Sequence, residues 1–138
     1  MNKTEIFEKG IESLKSVLSK YGFQFYNGPS GNSSGGSFIS GYFETKDRKL
    51  ELHFRFSLGL VTYHFGDMSV GHEDYMKAVE AENKYPGFSD KPKDGFKHLS
   101  YDLENFCSAF LQGDKNRFEQ IVEKARQNNE KTGFKAIW

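Results

Sequence analysis

Apolar and polar residues alternate strictly along Leu50-Glu-Leu-His-Phe-Arg-Phe56, which predicts a strand with two unlike faces. Leu50, Leu52, Phe54 and Phe56 share one face, and Glu51, His53 and Arg55 share the other. Two further runs rich in β-branched or aromatic residues flank it, Ser37–Glu44 and Leu60–Phe65. Phe23–Tyr26 reads as a fourth, shorter strand. Helical spacing governs the rest. Ile6, Phe7, Ile11, Leu14, Val17, Leu18 and Tyr21 predict a helix over 3–21, capped by Asn2 and stopped by Gly22. A short helix is expected over 72–83, with Tyr75, Met76 and Val79 on its inner edge. A long one is expected over 93–112, with Phe96, Leu99, Leu103, Phe106, Cys107, Phe110 and Leu111 in one stripe. Phe118, Ile121, Val122 and Ala125 mark a last helix from about residue 115 to about residue 130. The expected fold is α+β: an N-terminal helix, an antiparallel meander of about four strands, then three helices packed on one sheet face.

Register follows from keeping the faces consistent. A turn at Lys46-Asp47 sets Phe43 against Leu50, Gly41 against Leu52 and Ile39 against Phe54. A turn at Leu58-Gly59 sets Phe56 against Val61, Phe54 against Tyr63 and Leu52 against Phe65. The second face then carries Ser40, His53 and His64 in one row. Phe38, Arg55 and Thr62 make another, and Tyr42, Glu51 and Gly66 a third.

That polar and aromatic face holds the candidate binding residues Phe38, Ser40, Tyr42, His53, Arg55 and His64. A one-sided antiparallel sheet shows a mixed face to water as a matter of course. The same side chains also supply charge, hydrogen bonds and flat apolar area for a ligand. Opposed histidines at 53 and 64 offer only two metal ligands where a zinc site takes three or four, so no metal is expected. As a pair they would titrate near neutrality and repel each other when charged. Ser40 beside His53 has the residues of a nucleophile and a base, but no nucleophile elbow or oxyanion hole surrounds it.

Other motifs fall short. Asn27–Gly36 is rich in Gly and Ser and is expected to be a loop, and it lacks the Gly-Lys-Ser/Thr ending of a phosphate loop. His72-Glu73 could open a zinc-binding helix, but Met76 stands where the second histidine belongs, so polar helix-opening residues account for it. Cys107 lies within an apolar stripe, as a buried structural thiol does. The tail 131–138 ends in Phe134, Ile137 and Trp138, and is expected to be mobile unless it docks on the body or on a partner.

Composition narrows the function. At 138 residues the chain is expected to form a single globular domain over 1–138. Its 19 basic and 19 acidic residues balance, so no global field favours nucleic acid or a membrane surface. One cysteine leaves no intrachain disulfide, and no apolar run is long enough to span a bilayer, which suits a soluble cytoplasmic protein. No cofactor motif is present. In size, neutral charge and lack of a catalytic motif the chain resembles small bacterial proteins, among them toxin-neutralising immunity proteins. That likeness implies a non-catalytic protein-interaction module using the open sheet face. The alternative is a small-ligand binder or enzyme on the same face, with Arg55 holding an anionic group and a histidine moving a proton.

Overall fold

The computed structural model describes residues 2–33, 36–55, 57–81 and 94–131. Its elements are α1 (Lys3–Leu18), β1 (Gln24–Ser33), β2 (Gly36–Glu44), β3 (Arg48–Phe54), β4 (Leu58–Phe65) and β5 (Met68–Gly71), followed by α2 (His72–Ala78), α3 (Asp94–Phe106), α4 (Ser108–Leu111) and α5 (Lys115–Lys131). The five strands form one antiparallel sheet in the order β1-β2-β3-β4-β5. The α+β class holds, with one strand more than expected: β5 pairs with β4 through Tyr63 and Val70.

Local chemistry sets the ends of α1. The Asn2 side chain accepts from the Glu5 N–H at 2.9 Å, filling one donor that the first turn leaves open. A turn of 3₁₀ helix over Ser19–Tyr21 follows, and Gly22 ends it at φ 85°, a conformation that suits glycine. Phe7, Ile11, Leu14, Val17 and Leu18 are buried as their spacing requires. Gly10 is buried among them because α3 passes close by. A Cβ there would stand 2.3 Å from the Phe96 ring.

The β2–β3 register is as expected, with Ile39 opposite Phe54, Gly41 opposite Leu52 and Phe43 opposite Leu50. The β3–β4 register is not. Leu52 faces Val61 and Leu50 faces Tyr63, so the turn lies at Arg55–Ser57 rather than at Leu58-Gly59. Burial explains the change. A turn at Leu58 would leave that side chain in water, whereas here it is buried against Gly95. A bulge between His53 and Phe54 absorbs Gly59, so that Leu58 and Val61, three residues apart, both point inward and Leu60 points out. Phe56 lies outside the described residues.

The stretch 27–36 is strand over most of its length, not loop. Ser30 pairs with Ile39, Gly31 with Phe38 and Asn32 with Ser37, after a bulge between Asn27 and Ser30. Pro29 is tolerated because β1 is an edge strand, with no described strand on its other side. The long helix expected over 93–112 is two, interrupted at Cys107, and the stripe still points inward from both. The short helix expected to reach 83 ends at Ala78. Residues 82–93 and 132–138, which include the rest of the expected connection and the aromatic tail, lie outside the described residues.

Inner-facing strand residues and helix stripes join in a single hydrophobic core. Its centre is aromatic, with Tyr63 at 4.8 Å from both Tyr75 and Phe110. Arg48 ties the sheet to the helices: its guanidinium donates to the carbonyls of Phe110 at 2.9 Å and Gly113 at 2.7 Å, and lies over the Phe65 ring.

The close approach at Gly10 gives a test. Gly10→Ala raises intrinsic helix propensity by about 1 kcal/mol. It also drives a methyl group into Phe96. Crowding wins in a packed core, so urea unfolding is expected to show a net loss of about 1–3 kcal/mol. A gain in stability would mean that α1 and α3 have room to part.

Candidate functional site

The face of the sheet turned away from the helices is built by strand alternation. Its central row is Tyr26, Tyr42, Glu51, Thr62 and Gly71, from β1 to β5. On one side lies the row Gln24, Glu44, Lys49, His64 and Ser69. On the other lie Ser40, His53 and Leu60, then Phe38 and Arg55 at the far end. Ser40, His53, Phe38, Arg55 and Tyr42 therefore sit together as the sequence suggests. His64 shares the face but not the place.

The shifted register separates the two histidines. His53 opposes Leu60, and His64 opposes Lys49. His64 Nε2 instead meets Glu51 Oε1 at 2.5 Å, an ion pair when the ring is protonated. The opposed pair that could have repelled on protonation or shared a metal is thus not formed. No cluster of three or more His, Cys, Asp or Glu suited to a metal ion occurs among the described residues.

Aromatic rings cover much of this face. Tyr26 stacks on Tyr42 at 5.5 Å, and Phe38 stacks on His53 at 5.2 Å. Lys49 Nζ lies 5.0 Å over the Tyr42 ring, and the Arg55 guanidinium 5.8 Å over Phe38. Small side chains between these rings leave a shallow depression of about 300 Å³, lined by Phe38, Ser40, Tyr42, His53, Leu60 and Thr62 among others. Leu60 is 67% exposed at its edge and Tyr26 43% exposed nearby. Ser40 stands directly opposite His53, yet its hydroxyl donates to the Pro29 carbonyl. A nucleophile would need that hydrogen bond to run to the histidine.

A second polar group is buried on the helix side, where the sequence reading placed none. His72, expected as a polar helix-opening residue, is 3% exposed. Its Nε2 lies 2.9 Å from Asp102 Oδ2 and its Nδ1 2.6 Å from the Tyr63 hydroxyl, which in turn lies 3.5 Å from Cys107 Sγ. With the proton on Nε2, each donor has an acceptor: thiol to phenol, phenol to imidazole, imidazole to carboxylate. Asp102 Oδ1 is left without a hydrogen bond. Both ring nitrogens of His72 are hydrogen-bonded within the core, out of reach of a substrate. Burial pushes the Cys107 thiol and the Tyr63 phenol well up, so both stay protonated and the thiol is no nucleophile. The chain of bonds links β4, α2 and α3.

The sequence carried a signal for this group. Asp102 falls three residues after Leu99 and one before Leu103, inside the buried stripe of α3, where a carboxylate must find a partner. His72 stands three and four residues before Tyr75 and Met76, on the buried edge of α2.

Two measurements check these assignments. His72→Ala strands a buried carboxylate and is expected to cost about 3–5 kcal/mol in urea unfolding. The double variant His72→Leu/Asp102→Leu should cost less than the sum of its two single changes, because the pair acts as a unit. Equal additivity would mean the two side chains do not interact.

The buried thiol and phenols also fix a pH response. Tyr75 is raised as well, by burial first and then by Cys107. The ordinary values are 9.0 for the thiol and 10.0 for the phenols, and the folded protein holds all three protons above them. Stability from these groups is therefore complete below about pH 9 and falls as pH rises, because the unfolded chain releases protons that the folded one keeps. The melting temperature is expected to drop steadily from about pH 9 to pH 11. Iodoacetamide at pH 8 should label Cys107 only after urea unfolding.

No described helix is long and apolar enough to cross a membrane. No protein-family model matches this chain, and no curated protein or solved structure matches it either.

Proposed function

We propose that this protein is a non-catalytic interaction module that binds another protein through the outer face of its sheet. The observation that carries the reading is the asymmetry of the sheet. One face is sealed by helices, while the other presents stacked aromatics, cations and an exposed leucine around a shallow depression. Five strands at the usual spacing make that face about 20 Å across, a breadth suited to a protein surface. Tyrosine and arginine are the side chains that most often dominate binding energy at such surfaces.

A small-ligand site would need a deeper cavity and something to close it. The Gly/Ser-rich stretch that could have served as a lid is paired as an edge strand. The paired histidine edge that would have moved protons is absent, and the Ser40 hydroxyl is committed to Pro29. The protein reading is favoured on these grounds. Occlusion of a toxin's working surface is one use such a face would serve.

The test is recovery of partners from native cell extract by the intact protein and by Arg55→Ala/Leu60→Asp. Circular dichroism should first show that both fold alike. A protein retained by the intact form and lost from the variant is the expected result. Its affinity for the purified variant should be at least about thirtyfold weaker, as for two residues near the centre of an interface. Identical recovery by both forms, or no protein bound by either, would overturn the reading.

A further inference from the structure

A second surface on the helical side of the molecule has a more definite chemistry. α5 and the ends of α2, α3 and α4 enclose a groove of about 450 Å³. Its apolar floor is Val79, Phe106, Ala109 and Ile121, and its charged lining is Arg117 and Lys124 with no carboxylate among the described residues. Neither cation forms an ion pair among the described residues. Arg126, on the same helix, is by contrast bridged to both Glu123 and Glu130. Arg117 is instead oriented by Ser108, whose hydroxyl accepts from its guanidinium at 3.1 Å.

Spacing along α5 specifies what such a groove can hold. Arg117, Gln120, Ile121 and Lys124 follow the i, i+3, i+4, i+7 pattern of one helix face. Two positive charges therefore stand two turns apart, about 10 Å, with an apolar residue between them. We infer that this groove binds an acidic amphipathic helix of a partner protein, which lays apolar side chains on Phe106, Val79 and Ile121 and sets a carboxylate against each of Arg117 and Lys124. A single-headed amphiphile would satisfy one cation and leave the other. A nucleic acid would meet both but would have nothing to place on the apolar floor. A helix with acidic residues seven apart and leucines between them matches all three features. This surface is separate from the outer face of the sheet, so the two proposals stand or fall independently.

The probe is a synthetic, capped 18-residue amphipathic peptide with glutamates seven residues apart and leucines between, labelled for fluorescence anisotropy. A second peptide carries glutamine at the same positions. The glutamate peptide is expected to bind in the micromolar range, to weaken as salt rises, and to shift the amide resonances of Val79, Phe106 and Ile121. Binding should fall at least about tenfold in Arg117→Ala/Lys124→Ala, and should be unchanged in Arg126→Ala, which does not line the groove and is bridged to Glu123 and Glu130. Equal binding of the glutamate and glutamine peptides, equal binding by the double variant, or no binding at millimolar peptide would each overturn the proposal. So would sodium dodecanoate shifting the groove resonances when the peptide does not, since that would make the occupant a small amphiphile.

Discussion

Sheet and helices meet at the side chain of Tyr63. Its ring is packed between Tyr75, Phe110 and His72, and its hydroxyl sits between His72 and Cys107. A phenol buried this deep must have its hydrogen-bonding group satisfied, or the core loses about 1–3 kcal/mol. The donor–acceptor chain from Cys107 to Asp102 meets that demand, and in doing so it fixes where α2 begins and how α3 is rotated. Asp102 can be fully buried only because His72 faces it, and His72 faces it only because β5 delivers the chain from Val70 directly into α2. The short fifth strand is thus a positioning device for the buried histidine.

The same arrangement accounts for the interruption at Cys107. A continuous helix through residue 107 would carry Phe110 and Leu111 round on an unbroken 3.6-residue period. The break starts a new short helix whose Phe110 amide donates to the Tyr75 hydroxyl at 3.2 Å and whose terminal carbonyls meet Arg48. One buried tyrosine hydroxyl, that of Tyr75, and one arginine are satisfied by backbone that a regular helix would have kept for itself.

What could be read from the chain divides along physical lines. Periodicity placed the inward faces of β2 and β3 and the stripes of the longer helices, though not β5 with its buried Val70, because burial of Leu50, Leu52, Phe54, Leu99, Leu103 and Phe118 outweighs any local preference. The β2–β3 pairing was legible for the same reason: a single register closes the apolar face. The β3–β4 pairing was not, since a shift of even length keeps every side chain on its own face and alternation cannot tell the two registers apart. Only the fate of Leu58 separates them, and that depends on Gly95, distant in sequence. β1 ran past its apolar residues into Gly and Ser for another such reason. Its pairing rests on the backbone of β2, to which composition is blind. Of the candidate site, membership of the outer face was visible while neighbour relations across β3 and β4 were not.

That limited slip has a large chemical consequence. Moving the turn from Leu58-Gly59 to Arg55–Ser57 changes no face, yet it replaces His64 with Leu60 beside His53 and brings His64 to Glu51. A histidine pair, with its pH response and its capacity for metal, becomes an imidazole ring beside an exposed aliphatic, one row from a carboxylate that is hydrogen-bonded to His64. The bulge that absorbs Gly59 is what makes this possible, because it lets the strand bury Leu58 and Val61 while turning Leu60 to the outside. Core packing therefore selects the surface chemistry. The demand that Leu58 be dry moves the turn, and the register that follows sets the outward-facing Leu60 beside His53, where it gives the sheet an apolar contact point among its rings and charges.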